Sequence, residues 1–594
     1  MRRPFLSWLA AASLLAACAS APSDFTYTVP QQPEAASGLT AKPGWATTKF
    51  AVAAANPLAT DAGYRVLKAG GSAVDAAIAV QMVLALVEPQ SSGIGGGTFL
   101  LHFDGREVEA FDGRETAPAA ADERLFLGAD GKPLAFYDAV VGGRAVGVPG
   151  TLRVLEMAHR QYGKLPWATL FQPAITLAEK GFRVSPRLNT LLKNEAHLAK
   201  DATARAYFFQ ANGEPVAVGS TLRNPELAAV LSRVASEGAR AFYEGEIAQA
   251  IVDKVRRHPS NPGRLALADL AAYQPKKRAP ICHDYAARGR DWRICGFPPP
   301  SSGAIAIGQI LGILNHTDAA SLPLQGGLPS ADWLHLYTEA ARLAFADRGQ
   351  YLADPDFVQP PAGRWTSLLD PAYLAARARL IGERSMKTAQ PGTPGERTSR
   401  YAPAPEQVEH GTSHISIVDP YGNAVAMTTT IEDQFGARQM VRGFLLNNEL
   451  TDFSFAPADA QGRPIANRVQ PGKRPRSSMA PTLVFDKATG QLVASAGSPG
   501  GALIIHYTAK TLYGMLNWGL DAQQAIDLPN FGSTNGPTLL EQGRFPPAVV
   551  HALQARGHEV RELDMTSGLQ AIQRTPTGWF GGADPRREGV VMGD

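Results

Sequence analysis

Cysteine is scarce: the 594 residues hold three, Cys18, Cys282 and Cys295, scattered without the spacing of a zinc site. An excess of either charge is also missing. Lys and Arg number 57 against 54 Asp and Glu, the net charge is +3, and no basic tract stands out, so nucleic acid is a poor candidate partner. There is no G-x-S-x-G nucleophile motif. The glycine-rich stretches "GIGGG" (93–97) and "GSPGG" (497–501) have neither the lysine of a phosphate loop nor dinucleotide spacing. His410 and His414 straddle a strand start without a third ligand, so no metal is expected. Internal repeats are lacking. The apolar run "AVDAAIAVQMVLALVE" is interrupted by Asp75 and Gln81 and stops before Pro89, which makes it a buried core helix and not a membrane span.

What is present begins with an export signal. In "MRRPFLSWLAAASLLAACAS", Arg2 and Arg3 precede a short apolar run and then Leu15-Ala16-Ala17-Cys18. Cysteine after small residues resembles the bacterial lipoprotein box. The expectation is a signal peptide over 1–17, lipidation of Cys18, a flexible tether over 18–45, and an enzyme body held on the periplasmic side of a membrane. Hydrophobic residues make up 45% of the chain, enough to exclude disorder for most of it and to bury a large core.

Helical spacing runs from Leu58 to Gly70. Ser72-Ala73-Val74-Asp75 reads as a capping box opening the next helix. Strands "TFLLHF" and "EVEAFD" follow; residues 151–257 are mainly helical, with a start at Asn224-Pro225-Glu226. A hairpin near 279–297 leads to "PPPSSG" and then to helices near 303–316 and 329–349. Residues 385–410 are polar and dotted with proline, which predicts an exposed segment. Beyond it come strands "HISIV", "AVAMTTT", "PTLVF" and "QLVASAG", then helices near 506–518 and 546–556. Antiparallel strands with helices on both sides make an α+β layered protein. A two-residue turn at Arg288-Gly289 would set Cys282 opposite Cys295 at a non-hydrogen-bonded pair, close enough for a disulfide.

The stretch "EHGTSHISIVDPYGN" (409–423) places Thr412 at the mouth of a strand, straight after Gly411. If the bond between them were cut, the freed α-amine, with an ordinary pKa of about 7.7–8.0, would be a base beside the hydroxyl of the same residue. Glycine before it leaves the carbonyl open to attack. The runs "GTSHISIVD", "LLNNELTDFS", "PGKRPRSSMAPT", "GSPGG" and "ADPRREG" follow one another as they do in the γ-glutamyltransferases (γ-glutamyl transpeptidases). Upstream, "ATDAGYRVLKAGGSAVDAAIAV", "GIGGGTFLL" and "FDGRETAPA" resemble the large subunit of that family, so the resemblance covers nearly everything after residue 46.

The resemblance implies a four-layer αββα N-terminal-nucleophile hydrolase fold, two stacked antiparallel sheets flanked by helices. It also implies self-cleavage of a precursor into a large subunit (46–411) and a small one (412–594) that stay together as a heterodimer. By motif position, Thr412 corresponds to the nucleophile and Thr430 to a second threonine that supports it. Gly500 and Gly501 match the glycines whose N–H groups stabilise the oxyanion. Arg114, Ser477 and Ser478 match the group holding the donor α-carboxylate; Glu449 and Asp452 match the pair holding its α-ammonium. The implied donor is glutathione or another γ-glutamyl compound, the acceptor is water, an amino acid or a peptide, and no cofactor takes part. Two departures stand out. Glu432 replaces an asparagine common in the family, and on strand alternation it should face the same side as Thr430, with Arg438 as a candidate neutralising cation. Between Asp452 and Ser477 there is no aromatic beyond Phe455, so the tyrosine of the family's lid loop has no counterpart. The rival readings are a cephalosporin (glutaryl) acylase of the same fold and a lipid-anchored binding protein without turnover.

Overall fold

The computed structural model describes residues 38–395, 399–405 and 411–594. The signal peptide, Cys18, most of the tether and His410 lie outside these residues. Two seven-stranded sheets form the centre. The first runs, in spatial order, Val590–Gly593, Ala51–Ala54, Ser413–Val418, Ala424–Thr430, Gly97–Phe103, Val108–Gly113 and Lys276–Arg278. The second runs Trp45–Thr47, Gly578–Ala583, Gln570–Thr575, Leu492–Gly497, Thr482–Asp486, Arg290–Gly296 and Ile281–Ala287. All neighbours in both are antiparallel.

Side-chain alternation stacks the layers. Val52, Leu100, Ile415, Ile417, Val425 and Met427 face the helices Pro57–Lys68 and Ala73–Val87. The opposite face offers mostly small residues, Ala51, Ala53, Ala424 and Ala426, to Leu483, Ala494 and Ala496 of the second sheet. Small side chains let the sheets approach closely, and the second sheet is covered in turn by helices Gly303–Leu314, Ala331–Tyr351 and Ile504–Tyr513. The result is the four-layer αββα arrangement expected.

Local readings hold in detail. Ser72 accepts from the Asp75 N–H at 3.2 Å and Asp75 accepts from the Ser72 N–H at 2.9 Å, closing the capping box. Helix Ala73–Val87 is buried along its whole length, and among the described residues no helix is long and apolar enough to cross a membrane. One expectation holds in part. Among the described residues of 385–410, Lys387, Thr388, Gln390, Thr393, Arg400 and Pro403 are exposed, while Ala389, Tyr401 and Ala402 are buried. The segment's polar backbone finds partners: Tyr351 donates to the Gly392 carbonyl at 2.6 Å, Ala402 N–H to Pro464 O at 2.9 Å, and Ala404 N–H to Gly349 O at 2.9 Å. Satisfied carbonyls and amides let a proline-rich strap lie against the core.

The hairpin Ile281–Ala287/Arg290–Gly296 turns through Arg288 and Gly289, both with positive φ (52° and 70°), and pairs Cys282 with Cys295 in a disulfide across a Cα separation of 4.0 Å. The bond closes a short loop, and loop closure in the unfolded chain sets its worth at about 3 kcal/mol. Replacing both cysteines by serine should therefore lower the denaturant midpoint while leaving chain cleavage intact. Thiol titration of the unfolded, unreduced enzyme should find neither Cys282 nor Cys295 free; two free thiols would refute the bridge.

Candidate active site

Strand Ser413–Val418 pairs with Ala424–Thr430 in a register that sets Ser413 opposite Thr429, which brings Thr412 to the level of Thr430. The Thr412 hydroxyl donates to the Gly411 carbonyl at 2.6 Å; the Thr430 hydroxyl donates to the same oxygen at 2.7 Å. The two hydroxyl oxygens are 3.4 Å apart, and the Glu432 N–H donates to that of Thr430 at 2.8 Å. The carbonyl before Thr412 is thus held between two hydroxyls, one of them fixed by a backbone amide. A Cβ at Gly411 would lie 3.0 Å from Glu432 O and 3.2 Å from Gln90 O, so glycine suits the crowding here. Around the start of strand Ser413–Val418, Arg587 donates to the Thr412 carbonyl at 3.3 Å and Ser413 to Glu88 at 3.2 Å.

Thr412 and Thr430 open on a narrow cavity that also receives Arg114, Glu432, Glu449 and Asp452. Ser477, Ser478 and Gly501 line it too. Arg114 follows strand Val108–Gly113 and is 1% exposed. It is ion-paired with both Glu449 and Asp452, and it donates to the carbonyls of Pro475 at 3.2 Å and Arg476 at 2.9 Å. Burial works against its charge, but Glu449 and Asp452 outweigh it and keep the guanidinium firmly protonated. Gly500 has φ 132°, and a Cβ there would strike the Tyr507 ring at 2.5 Å; Gly501 follows at φ 58°. Two threonine hydroxyls and paired charges of both signs share one cavity, an arrangement able to carry acyl transfer from a zwitterionic donor.

The gamma-glutamyltranspeptidase family model matches residues 59–594. The chain belongs to the gamma-glutamyltranspeptidase family. It is similar to the glutathione hydrolase proenzyme of Bacillus subtilis (strain 168), 36% identical over 558 residues that span 91% of each chain. It is as similar, 36% over 539 residues and 89% of this chain against 90% of the other, to the acylase ACY 1 proenzyme of Pseudomonas sp. (strain SE83). Among solved structures it resembles a cephalosporin acylase from Bacillus halodurans, with a TM-score of 0.80, 28% identity, and coverage of 95% of this chain and 99% of that one.

Against the family pattern, two points about Glu432 need correction. The chain leaves the strand after Thr430, and Glu432 has φ 75°, so it reaches the cavity through a turn and not by alternation along the strand. Its carboxylate accepts from the Asn448 amide and from Thr451 Oγ1 at 3.3 Å. Arg438 does not neutralise it: that guanidinium is held by Asp433 at 2.6 Å and Glu195 at 3.0 Å. Burial, then the like charges of Asp452, Asp433 and Glu449, push the Glu432 carboxyl well above the usual range. Sequence reading also missed Glu115, the neighbour of Arg114. Its carboxyl is fully buried and lies against that of Glu449. A Cβ at Gly97 would sit 2.1 Å from the Glu115 carboxyl, so that glycine makes its room. Asn448, within "LLNNELTDFS", carries no local sign of its contacts with Glu432 and the Asp433 N–H. A second, wider cleft of about 1210 Å³ near Tyr137, His197 and Arg442 takes in Arg438 but neither Thr412 nor Thr430 and none of Arg114, Glu432, Glu449 and Asp452.

Burial, followed by the charge of Glu449, raises the Glu115 pKa well above that of an unfolded glutamate. The folded state therefore holds this proton longer. The stability it confers is present below the unfolded pKa of about 4.3 and is lost as pH rises through the folded value. Glu115→Gln removes the titration. Its melting temperature relative to the parent should climb between pH 5 and pH 9; a constant difference across that range would show that Glu115 does not hold the proton.

Proposed function

We propose that this chain is a self-processing γ-glutamyltransferase and glutathione hydrolase. The observation that carries the reading is the Thr412 hydroxyl set against the Gly411 carbonyl at the mouth of a cavity holding Arg114 beside Glu449 and Asp452. In the uncut chain Thr412 Oγ1 attacks the Gly411 carbonyl carbon. Thr430, donating to the carbonyl oxygen, stabilises the negative charge that develops there. The C–N bond breaks, the acyl group passes to Thr412 as an ester, and water opens it. The freed Thr412 amine then serves as base for the same hydroxyl in turnover. The hydroxyl, its proton taken by that amine, attacks the γ-carbonyl of the donor; the C–N bond breaks, the proton passes to the departing amine of the remaining peptide, and Thr412 holds the γ-glutamyl ester until water or an acceptor amino acid or peptide takes the acyl group. The N–H groups of Gly500 and Gly501 are assigned to the oxyanion of this step.

The α-amino acid end of the donor suits the closed ion pairs. Its carboxylate would replace Glu449 and Asp452 on Arg114, with Ser477 and Ser478 adding hydroxyl donors. Its ammonium would take up Glu449, Asp452 and Glu432. The two internal salt bridges of Arg114 are exchanged for ion pairs with substrate, so desolvation already borne by the protein is not incurred again on binding. A glutaryl group has no ammonium, and these carboxylates would then be left facing none, which favours the γ-glutamyl reading over an acylase. Residues 1–17 are read as a cleaved signal and Cys18 as lipidated, holding large (46–411) and small (412–594) subunits on the periplasmic side of a membrane; this rests on the sequence pattern.

Denaturing gels should show two bands, and N-terminal sequencing of the smaller should read Thr-Ser-His-Ile-Ser. Thr412→Ala should leave one uncut chain without turnover, whereas Thr412→Ser should still cut, more slowly, with some activity. γ-Glutamyl anilide should be a better substrate than glutaryl anilide; the opposite preference would favour the acylase, and a single inactive band a binding protein. Glu432→Gln should raise KM for γ-glutamyl donors by about 10-fold, the scale of one hydrogen bond to a charged group, and leave self-cleavage unchanged. The parent enzyme's KM should fall as pH rises and Glu432 ionises, and that slope should flatten in the variant; unaltered donor kinetics would remove Glu432 from the site.

A further inference from the structure

Ser477 and Ser478 sit in a segment without helix or strand, and what fixes them comes from the other side of the expected cleavage point. The "PPPSSG" stretch runs alongside, with Ser301 bridged in parallel to Ser477. The Ser477 N–H donates to Pro300 O at 3.0 Å. The Ser302 N–H and hydroxyl both donate to Ser477 O, at 2.7 and 2.8 Å, and the Ser301 hydroxyl donates to Met479 O at 2.7 Å. Above this strap lies Arg348, near the end of helix Ala331–Tyr351 and 3% exposed. Its Nε donates to Ser302 Oγ at 2.9 Å and its Nη2 to Ser478 Oγ at 2.6 Å.

Proton counting gives these contacts a direction. A serine hydroxyl has one proton to donate and two lone pairs, and a guanidinium can only donate. Ser478 Oγ therefore accepts from Arg348, and its own proton must point elsewhere. Ser477 Oγ likewise accepts from the Met479 N–H at 3.1 Å. Both serines line the cavity, and each hydroxyl oxygen has a lone pair engaged by a protein donor. Each is left as a donor, and accepting from a cation polarises the Ser478 O–H further. Two aligned O–H donors beside Arg114 make a receptor for a carboxylate, in a cavity where Glu432, Glu449 and Asp452 would otherwise repel one.

We propose that Arg348, acting through Ser478 and the Ser301–Ser302 strap, is a positioning residue that sets the enzyme's selectivity for donors bearing an α-carboxylate. It touches no substrate; it fixes which way the Ser478 hydroxyl faces. This inference rests on the γ-glutamyl reading of the cavity.

The test compares two anilides, γ-glutamyl and 4-aminobutyryl, which differ only in the α-carboxylate. With the parent enzyme the γ-glutamyl compound should be strongly preferred; an enzyme indifferent to the two overturns the donor reading and this inference with it. In cut, soluble Arg348→Lys, KM for the γ-glutamyl anilide should rise by about 10- to 100-fold, as for loss of a charge-assisted hydrogen bond, with a smaller effect on kcat. The kcat/KM for the 4-aminobutyryl anilide should stay unchanged. Combining Arg348→Lys with Ser478→Ala should cost little beyond Ser478→Ala alone. If Arg348→Lys does not yield cut, soluble enzyme, Ser302→Ala loosens the same clamp while keeping the cation, and the same carboxylate-specific loss is expected. Equal losses on both anilides, or none on either, would overturn the assignment while leaving the donor reading in place.

Discussion

Six ladder pairs between Ser413–Val418 and Ala424–Thr430 decide where Thr412 stands, and most of the site follows from them. In an antiparallel pair a slip of one residue turns every side chain to the other face. Ile415 and Ile417 would then leave the helix layer, and Thr412 would lose Thr430. The turn prevents it. Asp419 Oδ1 accepts from the N–H groups of Tyr421 and Asn423, both at 2.9 Å, while its other oxygen accepts from the Ala73 N–H at 3.0 Å. One aspartate therefore ties the hairpin's turn to the start of the buried helix on which the strands pack. Beneath Thr412 the strand's alternate residues are polar. His414 bonds to Thr428 at 2.9 Å and to Ser416 at 3.1 Å, and Ser495 of the facing sheet donates to Ser416 at 2.9 Å. That chain joins the two sheets where apolar side chains would allow sliding.

The cavity's electrostatics are uneven. Glu115, Glu432, Glu449 and Asp452 surround Arg114, all of them buried. Removing charges from water is costly, and ion pairs of this kind add little net stability. Their value lies in preorganisation: groups of both signs are dehydrated and fixed before a donor arrives. Neighbouring carboxyls that resist ionisation, Glu115 and Glu432 above all, keep the surplus of negative charge from being fully expressed.

Much of this was legible in the chain itself. Strand alternation, the Ser72–Asp75 capping box and the turn at Arg288-Gly289 are local, and local rules located them; the turn alone was enough to pair Cys282 with Cys295. Thr412 could be suspected from its place after Gly411, and longer motifs supplied its companions. What stayed hidden depends on the third dimension. The left-handed backbone at Glu432 defeats strand periodicity. Arg438 stands six residues on but turns toward Glu195. Polarity marked 385–410 as exposed, and many of its described residues are, but it gave no sign that Ala389, Tyr401 and Ala402 are buried against the core. Arg348 and Ser478 are 130 residues apart in sequence, and nothing local in either announces the contact.

The order of strands has a further consequence. In the first sheet the strands on either side of the 411–412 bond are interleaved, Val590–Gly593, Ala51–Ala54, Ser413–Val418, Ala424–Thr430, Gly97–Phe103, so neither piece could keep a complete sheet without the other. A cut there would change the molecularity of folding. Before it, assembly is unimolecular and independent of concentration; after it, two chains must meet, and the translational entropy of the encounter opposes reassembly. The cleaved enzyme would then owe its persistence to slow unfolding more than to ready refolding.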